Sequence, residues 1–415
     1  MLTDFFRSPQ TLSRLRSGAV GAFIDGFAEN LKTAGYSRFT IRAHLGAAAH
    51  FSNWAGIMGL TIAELDDTVG QKFQRHLASC QCRPYMGKYI TTAAASVRLL
   101  RDYLFQIGAV MPHSPKNEET RELTLLTAFG KWMIQNRGVT QGTLNHYRPI
   151  IASFLESIDS DPCRIDSCSL QAFILDRTER LGKKNIKGMR TALRTFLRYL
   201  IAEGKCATGL DAALPAGAQW RLSTLPRYLP ASDVERVVAA CDASTSAGCR
   251  DRAIVLLLAR LGLRGDDIVR LRISDIDWQH ASVRLSGKGR REVRLPLTQE
   301  VGDSILDYLE RGRPAVESDH VFIRTIAPLR PFSNSSPVSK VVTRAIRRAG
   351  IRTVFHGAHV LRHSAATEML RQGISLQDIG SILRQRSIET TAHYAKVDVE
   401  LLQLVAQPWP AVTSC

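Results

Sequence analysis

Five residues in the C-terminal half of the chain have the types and the order needed to attack a phosphodiester. They are, in chain order, Arg264, Lys288, His359, Arg362 and Tyr394. A phosphodiester resists attack because its non-bridging oxygens are anionic and its alkoxide leaving group is poor. Catalysis therefore needs cations on those oxygens, a proton for the leaving oxygen and a positioned nucleophile. Two arginines, a lysine, a histidine and a late tyrosine supply all of these.

Each residue type suits one of these tasks. The planar guanidinium of Arg264 can bind two phosphate oxygens at once. His359 and Arg362 are three residues apart, so a helix would place both on one face. An imidazole is an acid or a base near neutral pH. Lys288 is a candidate donor of the proton to the leaving 5′ oxygen, and the Tyr394 hydroxyl is a candidate covalent nucleophile.

Taken singly, these residues have more ordinary explanations. A lone arginine is usually a surface charge, a lone tyrosine a half-buried aromatic, and Lys288 a polar turn residue. The pattern HxxR also recurs by chance in a long basic chain. The joint occurrence of all five residues in this order favours a single active site.

The local sequence predicts the helices that hold these residues. Residues 232–235, Ser-Asp-Val-Glu, predict a capping box at the start of a helix. The apolar stretch 253–263 predicts a buried helix directly before Arg264. Near the other end, Ser387 is predicted to cap a short helix ahead of Tyr394.

A β-hairpin is predicted to carry Lys288. Residues 281–285 and 292–295 alternate between apolar and polar side chains with period two. Between them lies Ser286-Gly287-Lys288-Gly289, which places Lys288 in the turn region. We therefore expect a mainly α fold with a small antiparallel sheet, an α+β catalytic domain in a multidomain chain.

Composition indicates a basic globular protein. With 415 residues the chain is too long for one ordinary domain, so two or three are expected. A hydrophobic content of 45% with 22% charged residues is typical of a globular protein. The net charge of +17 and the pI near 9.8 indicate a polyanionic partner, and nucleic acid is the expected one because Lys and Arg neutralise phosphates. Charge alone would also fit a merely basic protein.

The sequence further predicts a cytoplasmic, nucleoid-associated protein that needs no cofactor. Residues 1–6 lack the features of a secretory signal, and no apolar run approaches the ~20 residues of a membrane helix, so no membrane partner is expected. The eight cysteines are scattered, with Cys80 and Cys82 as a close pair at a spacing that matches no zinc motif. Reduced structural thiols and no metal are therefore expected. Phosphate-loop and HExxH motifs are missing, so the chemistry is expected to run without ATP or metal.

Two linkers divide the chain, and the first two segments look related. The polar, proline-containing stretches 111–117 and 214–232 delimit segments at 1–111, 118–213 and 226–415. We interpret the first two as copies of one helical module, although two unrelated amphipathic segments could align by chance. The corresponding positions are 35–41 with 138–144, Phe51 with Phe154, 97–104 with 193–200, and Gly108 with Gly204.

The second segment contains a basic helical face. Lys187, Arg190, Arg194 and Arg198 fall on one side of a predicted helix, and apolar residues fall on the other. From residue 183 to residue 198 there are six basic residues and no acidic one. A solvated surface would explain such a face in any single helix, but the lack of acidic residues favours phosphate binding.

The C-terminal segment resembles the catalytic domain of the tyrosine recombinases, the family of the bacteriophage integrases and the chromosome-dimer resolving recombinases. That family has an arginine after an apolar helix, a lysine in a β-hairpin, an HxxR helix, and a tyrosine after a further His or Trp. The five residues introduced above match these positions, and residues 361–367 follow the family's HxLRH pattern. The likeness spans 226–405. Residues 118–213 are more weakly similar to the family's helical core-binding (SAM-like) domain, which makes 1–111 an added arm or clamp domain.

The resemblance implies transesterification without a cofactor. Tyr394 would attack the phosphorus to form a 3′-phosphotyrosyl link, and the freed 5′ hydroxyl would attack the matching link on a partner duplex. Arg264 and Arg362 would neutralise the transition state, Lys288 would be the general acid, and His359 would help to deprotonate Tyr394. Two duplexes with two protomers on each imply a homotetramer on double-stranded DNA that carries a specific site. Companion recombinases are a further implied partner.

Two further positions follow from the resemblance. Asp267 stands where the family has an acidic residue that supports the site. Leu383-Arg384-Gln385 stands where the family has Leu-Gly-His. Gln385 can donate a hydrogen bond but carries no charge, so we expect reduced rather than abolished activity, and Gln385→His is expected to raise the cleavage rate. His393 is interpreted as a packing or surface residue.

Three functions fit these observations. The first is a site-specific recombinase that integrates or excises a mobile element. The second is a type IB topoisomerase, which uses a similar residue set, and the third is a DNA-binding protein with a decayed site, which Gln385 alone favours. The duplicated helical half favours the recombinase. Its C-terminal stretch 399–406 would dock on a neighbouring protomer or pack on its own domain.

Overall fold

A computed structural model gives the structure of the chain over most of its length. It describes residues 2–65, 67–83, 85, 90–110, 121–180, 183–214, 226–286, 292–385 and 388–397. The chain forms two compact units, one made of residues 1–111 with 222–415 and the other of residues 112–221. Most of the described residues are helical, and the three strands among them form one antiparallel sheet, which confirms the predicted fold class. Within the described residues, no helix has the length and apolar character that crossing a membrane requires.

The N-terminal segment is a helical bundle around its own apolar core. Its helices are α1 (Pro9–Leu15), α2 (Ile24–Thr33), α3 (Arg38–Ile57), α4 (Asp67–Leu77) and α5 (Ile90–Gln106), with 3-10 turns at Leu2–Asp4, Gly21–Phe23 and Ile62–Glu64. The long helix α3 begins where the Ser37 hydroxyl accepts a hydrogen bond from the Thr40 amide. Phe27, Leu45 and Phe73 are completely buried in this core.

The described residues of the second compact unit form another helical bundle. Its helices are α6 (Arg121–Arg137), α7 (Gln141–Ser157), α8 (Ser167–Arg180) and α9 (Lys183–Ala202), with a 3-10 turn at Pro162–Arg164. The helix α9 is strongly amphipathic, as its sequence predicts. Met189, Leu193, Phe196 and Leu200 on its apolar side are all buried.

The two bundles share their helix order and their turn conformations. In each, the second helix packs on the first and the fourth helix packs on the second and third: α2–α5 in one and α6–α9 in the other. Gly35 and Gly138 precede equivalent helices with φ of 81° and 57°, and Gly108 and Gly204 follow equivalent helices with φ of 71° and 67°. These shared features support our interpretation that the module is duplicated.

The C-terminal segment is helical around one small sheet. Its helices are α10 (Ala231–Ala239), α11 (Ser246–Arg260), α12 (Gly265–Arg270), α13 (Gln299–Asp307), α14 (Ser336–Arg348), α15 (Ala358–Arg371), α16 (Leu376–Ile382) and α17 (Ile388–Thr391), with short turns at Ile273–Asp275, Tyr308–Gly312 and Tyr394–Val397. The strands β1 (Ile276–Asp277), β2 (Ser282–Ser286) and β3 (Glu292–Pro296) pair in that order, and all pairs are antiparallel.

The β-hairpin forms as predicted, with Val283 opposite Leu295 and Leu285 opposite Val293. Lys288 and the rest of its turn lie outside the described residues, as do Ser387 and the stretch 399–406. The predicted capping box at 232–235 is wrong. The helix α10 begins at Ala231, directly after Pro230, so Ser232 lies inside the helix and cannot cap it. The fixed φ of Pro230, here −54°, suits a helix start and moves it ahead of the serine.

The predicted buried helix before Arg264 is α11, the centre of the apolar core of the C-terminal segment. It is capped by the Thr245 hydroxyl, which accepts from the Gly248 amide at 3.0 Å. Its residues 253–258 are fully buried. The helix ends at Arg260 rather than Leu263, because Gly262 adopts a left-handed φ of 58° that turns the chain toward Arg264.

Each of the three predicted segments contains its own large apolar core. A small additional cluster joins Ala366, Ile379, Leu383 and Tyr394. The first and third segments nevertheless belong to one compact unit, and the Leu329 amide donates to the Ala34 carbonyl between them at 2.9 Å. The division of the chain into three domains stays a prediction.

Candidate active site

Arg362 is a buried side chain that binds two other parts of the C-terminal segment. It lies on α15 and is 5% exposed. Its Nη1 donates to the Gly262 carbonyl after α11, and its Nη2 donates to the Leu383 carbonyl after α16. Burial and the nearby Arg264 lower the pKa of Arg362 to about 10, so the side chain stays cationic at neutral pH. The guanidinium of Arg362 therefore joins α15 to the chain after α11 and to the chain after α16, and it keeps its positive charge.

Glycine is required at position 262. A Cβ there would lie 2.5 Å from the Cδ2 of Leu383, and the left-handed φ of 58° is itself unfavourable for other residues. The close approach brings the two carbonyls that hold Arg362 together. The apolar helix α11 thus positions Arg362 as well as Arg264.

Arg264 is held from both sides of the site. It is the N-cap residue of α12, and its amide donates to Oδ2 of Asp267 at 2.8 Å. Its Nη2 donates to the backbone carbonyl of Arg384 at 2.9 Å. Asp267 thus binds the backbone of Arg264 directly, and the supporting role that the resemblance implies for it stays a prediction.

Arg384 is a third arginine in this site, and the sequence analysis did not identify it. Its side chain is 6% exposed and pairs with Asp267, which is 11% exposed. Its Nε and Nη1 atoms are buried and have no hydrogen-bond partner among the described residues. The backbone φ of Arg384 is 54°, a conformation that favours glycine. The signal was present in the sequence, since arginine stands where the family's Leu-Gly-His has glycine.

Gln385 lies next to the candidate nucleophile. Its backbone amide donates to the Gly380 carbonyl at 2.9 Å, and its Oε1 accepts from the buried Thr391 hydroxyl at 2.6 Å. Burial raises the pKa of the Tyr394 hydroxyl above its ordinary value. The positive charge of Arg362 and a hydrogen bond with Gln385 make this rise smaller. Tyr394 is 2% exposed, so its hydroxyl must be uncovered before it can reach a phosphate.

Two histidines of α15, His359 and His363, lie in the same region as Tyr394. The ring of His363 lies 5.4 Å from the Tyr394 ring and 6.5 Å from the His359 ring, as measured between centroids. Partial burial and the charges of Arg362 and Arg264 lower the pKa of His359, so it is a neutral proton acceptor at neutral pH. Burial and the neighbouring His359 lower the pKa of His363 to about 4. His363 is a second residue that the sequence analysis did not identify as part of the site.

The structure thus brings together most of the predicted residues. Hydrogen bonds and electrostatic interactions connect five of these residues: Arg264, Asp267, Arg362, Gln385 and Tyr394. The positive charges of Arg362 and Arg264 also act on His359, whose pKa they lower. The position of Lys288 is outside the described residues. His393 contacts Tyr394 with ring centroids 6.3 Å apart. The arrangement offers two cations for an anionic oxygen beside a tyrosine hydroxyl.

Part of the basic face of α9 is engaged within its own bundle. Arg194 donates to the carbonyls of Asp211 and Leu214 at 3.2 and 3.1 Å, and Arg198 pairs with the Asp211 carboxylate at 2.9 Å. Asp211 supplies the acidic partner that residues 183–198 lack. The Arg198–Asp211 pair lies at the surface, where solvent screens its attraction, so a phosphate can displace it. Phosphate binding by Lys187, Arg190, Arg194 and Arg198 stays a prediction.

Comparison with known proteins matches this geometry to one family. The model of the phage integrase family matches residues 227–400. The protein y4rA of Sinorhizobium fredii, named as an integrase/recombinase, is 36% identical, and the match covers 98% of each chain. A structure of the XerH site-specific recombinase bound to a palindromic difH substrate matches 74% of this chain and 93% of its own, with 21% identity and a TM-score of 0.55.

A lambda integrase tetramer bound to a Holliday junction shares the fold as well, with a TM-score of 0.50 and 20% identity over 73% of this chain and 86% of its own. Identity this low supports a shared fold. The match with y4rA runs through the whole chain at a level that indicates common descent. The chain therefore belongs to the phage integrase family, the tyrosine recombinases, and is a site-specific recombinase.

Proposed function

We propose that this recombinase cleaves and rejoins double-stranded DNA through a 3′-phosphotyrosyl link to Tyr394, and that it integrates or excises a mobile element. The observation that supports this most directly is that the buried Tyr394 packs in one cluster with Leu383, whose carbonyl accepts a hydrogen bond from Arg362. Both cations are held by backbone carbonyls rather than by carboxylates. Carbonyl oxygens carry no net charge, so these contacts leave the positive charge of both guanidinium groups uncompensated and available to an incoming phosphate.

The residues take the following roles. Arg264 and Arg362 stabilise the anionic oxygens as the Tyr394 oxygen bonds to phosphorus, and Lys288 gives a proton to the leaving 5′ oxygen. A neutral histidine, His359, accepts the proton of the tyrosine hydroxyl. The reverse reaction by a 5′ hydroxyl from a second duplex breaks the phosphotyrosyl bond, so the number of phosphodiester bonds is unchanged and no cofactor is consumed.

The working form is a homotetramer on two copies of a specific DNA site. Support comes from the fold shared with lambda integrase, whose structure shows a tetramer bound to a Holliday junction, and with XerH, whose structure shows a post-cleavage complex. The net charge of +17 suits a DNA partner. Companion recombinases are compatible with this assembly.

Covalent trapping tests the proposal. The full-length protein is incubated with nicked duplexes taken from the DNA that flanks its own gene, and denaturation-resistant adducts are detected on a gel. We expect an adduct that is lost in Tyr394→Phe and retained in Tyr147→Phe, a matched change in the other compact unit. Specific binding without an adduct would contradict the proposal and favour a DNA-binding protein with a decayed site.

A circular plasmid without the specific site separates recombination from topoisomerase activity. The proposed recombinase relaxes supercoils only on plasmids that carry its site. Relaxation of every plasmid at equal rates would refute site-specific recombination as the function.

A further inference from the structure

Four side chains of the N-terminal segment that could bind a metal meet at one point. His50 lies in the middle of α3, His76 lies in the last turn of α4, and Cys80 and Cys82 follow α4. Their ligand atoms all lie within 4.8 Å of one another. The Sγ of Cys80 is 3.2 Å from the Nε2 of His50, and the Sγ of Cys82 is 3.4 Å from the Nε2 of His76.

The two sulfur–nitrogen distances are close to the edge length of a tetrahedral coordination sphere. Zinc lies ~2.3 Å from a thiolate sulfur and ~2.1 Å from an imidazole nitrogen, so tetrahedral ligands place sulfur and nitrogen about 3.6 Å apart. The two observed sulfur–nitrogen distances are within a few tenths of an ångström of that value. Two thiolates with two imidazoles in a tetrahedron select Zn²⁺ among the common divalent ions.

The surroundings hold these ligands in place. His50 is 1% exposed, stacks on Tyr85 with ring centroids 4.9 Å apart, and meets the edge of Phe73 at 5.2 Å. The backbone amide of Cys82 donates to the Sγ of Cys80 at 3.3 Å. Such an N–H bond stabilises negative charge on sulfur, the form in which cysteine binds a metal.

The duplicated bundle shows what the site replaces. At the alignment offset that pairs Phe51 with Phe154, the counterpart of His50 is Ser153, which accepts a hydrogen bond from Arg177 of α8. In that bundle α8 and α9 are separated only by residues 181–182, whereas residues 78–89 separate α4 from α5. Both cysteines lie in the longer connection. The first bundle therefore has the longer connection between these helices, and it has four candidate ligands in place of one hydrogen bond.

We propose that His50, His76, Cys80 and Cys82 bind one Zn²⁺ ion that joins the loop after α4 to α3. All four ligands come from the protein, so the ion is structural, with no position open for a substrate. The sequence analysis expected metal-free thiols because the Cys-x-Cys pair matches no zinc motif. The ligand set becomes visible only when α3 brings His50 to the loop.

Metal content of the full-length protein tests this proposal without any recombination assay. The protein is purified without chelator, and zinc is measured by elemental mass spectrometry. We expect one zinc ion per chain, and at least a tenfold lower content in the double variant Cys80→Ser/Cys82→Ser. The matched control Cys163→Ser/Cys168→Ser removes two exposed thiols from the other compact unit and is expected to retain the zinc. Equal zinc in wild-type protein and in Cys80→Ser/Cys82→Ser would overturn the proposal.

Cobalt replacement in the wild-type chain decides the question even if the double variant does not fold. Zinc-stripped protein is titrated with Co²⁺ and followed by visible absorption. We expect one Co²⁺ per chain, with the intense bands of tetrahedral cobalt and a thiolate charge-transfer band, all abolished by added Zn²⁺. A weak octahedral spectrum, no binding, or a Cys80–Cys82 disulfide in freshly purified protein would refute the site.

Discussion

Replacing Arg384 by methionine probes the buried ion pair between Arg384 and Asp267 in the candidate active site. The guanidinium of Arg384 and the carboxylate of Asp267 are 6% and 11% exposed and bind each other directly. Removing one partner of such a buried pair costs ~3–5 kcal/mol, because the remaining charge has lost its counterion. Asp267 still accepts from the Arg264 amide, so we expect the lower end, ~3 kcal/mol. The free energy of unfolding of the catalytic segment should fall by that amount.

Thiol labelling in urea measures this change where it occurs. Cys241 and Cys249 are 3% and 4% exposed in the catalytic core, so they react only when that core unfolds. Their labelling is followed peptide by peptide by mass spectrometry. With a urea dependence of ~2 kcal/mol per M, the loss of ~3 kcal/mol moves the labelling midpoint down by about 1.5 M. The control Arg311→Met breaks an exposed pair with Asp307 and should shift it by less than ~0.5 M.

A double-mutant cycle identifies the contact responsible. Asp267→Asn alone leaves Arg384 buried and charged, so it should also destabilise the core. The pair Arg384→Met/Asp267→Asn should then cost about 2 kcal/mol less than the sum of the single changes. Strict additivity, or a midpoint in Arg384→Met equal to that of wild type, would refute the view that these two charges hold the site together.

Two further predictions concern the pH dependence and the glutamine. The pKa of His359 lies below its ordinary value of 6.5, so the imidazole is a neutral base at pH 7. As the pH falls, it becomes protonated and can no longer accept the proton of the tyrosine. Cleavage should therefore be level near pH 7 and decline below pH 6.5, and His359→Asn should be slower by ~10²-fold or more and lack the decline. The control His363→Asn should keep the decline; if the decline disappears there instead, His363 is the base. Gln385→His should raise the rate of adduct formation by about tenfold, which is ~1.4 kcal/mol of transition-state stabilisation, and Gln385→Glu should lower it because a carboxylate repels the phosphate. An unchanged or lower rate in Gln385→His would show that the Thr391–Gln385 contact is part of an active site built for glutamine.

The sequence by itself determined the family and the local elements. The order of Arg264, Lys288, His359, Arg362 and Tyr394 identified the family, which the comparisons confirm. Periodicity predicted α11, the β-hairpin and the amphipathic α9, because each of these patterns is set by neighbours a few residues apart. The predicted start of α10 was wrong, because Pro230 rather than Ser232 is the residue that precedes the first turn of the helix.

Only the tertiary structure decided which groups meet. Arg264 reaches the carbonyl of a residue 120 positions away, and Arg362 reaches one 100 positions away. Backbone carbonyls carry no sequence signal, so these anchors could not be predicted. Two further contacts could not be predicted either: Asp211 with the basic face of α9, and His50 with the two cysteines. In each case the partner lies on a different element of the chain. Local sequence encodes which elements form and which residue types are present, whereas packing of distant segments decides which charges are paired and which remain available to a phosphate.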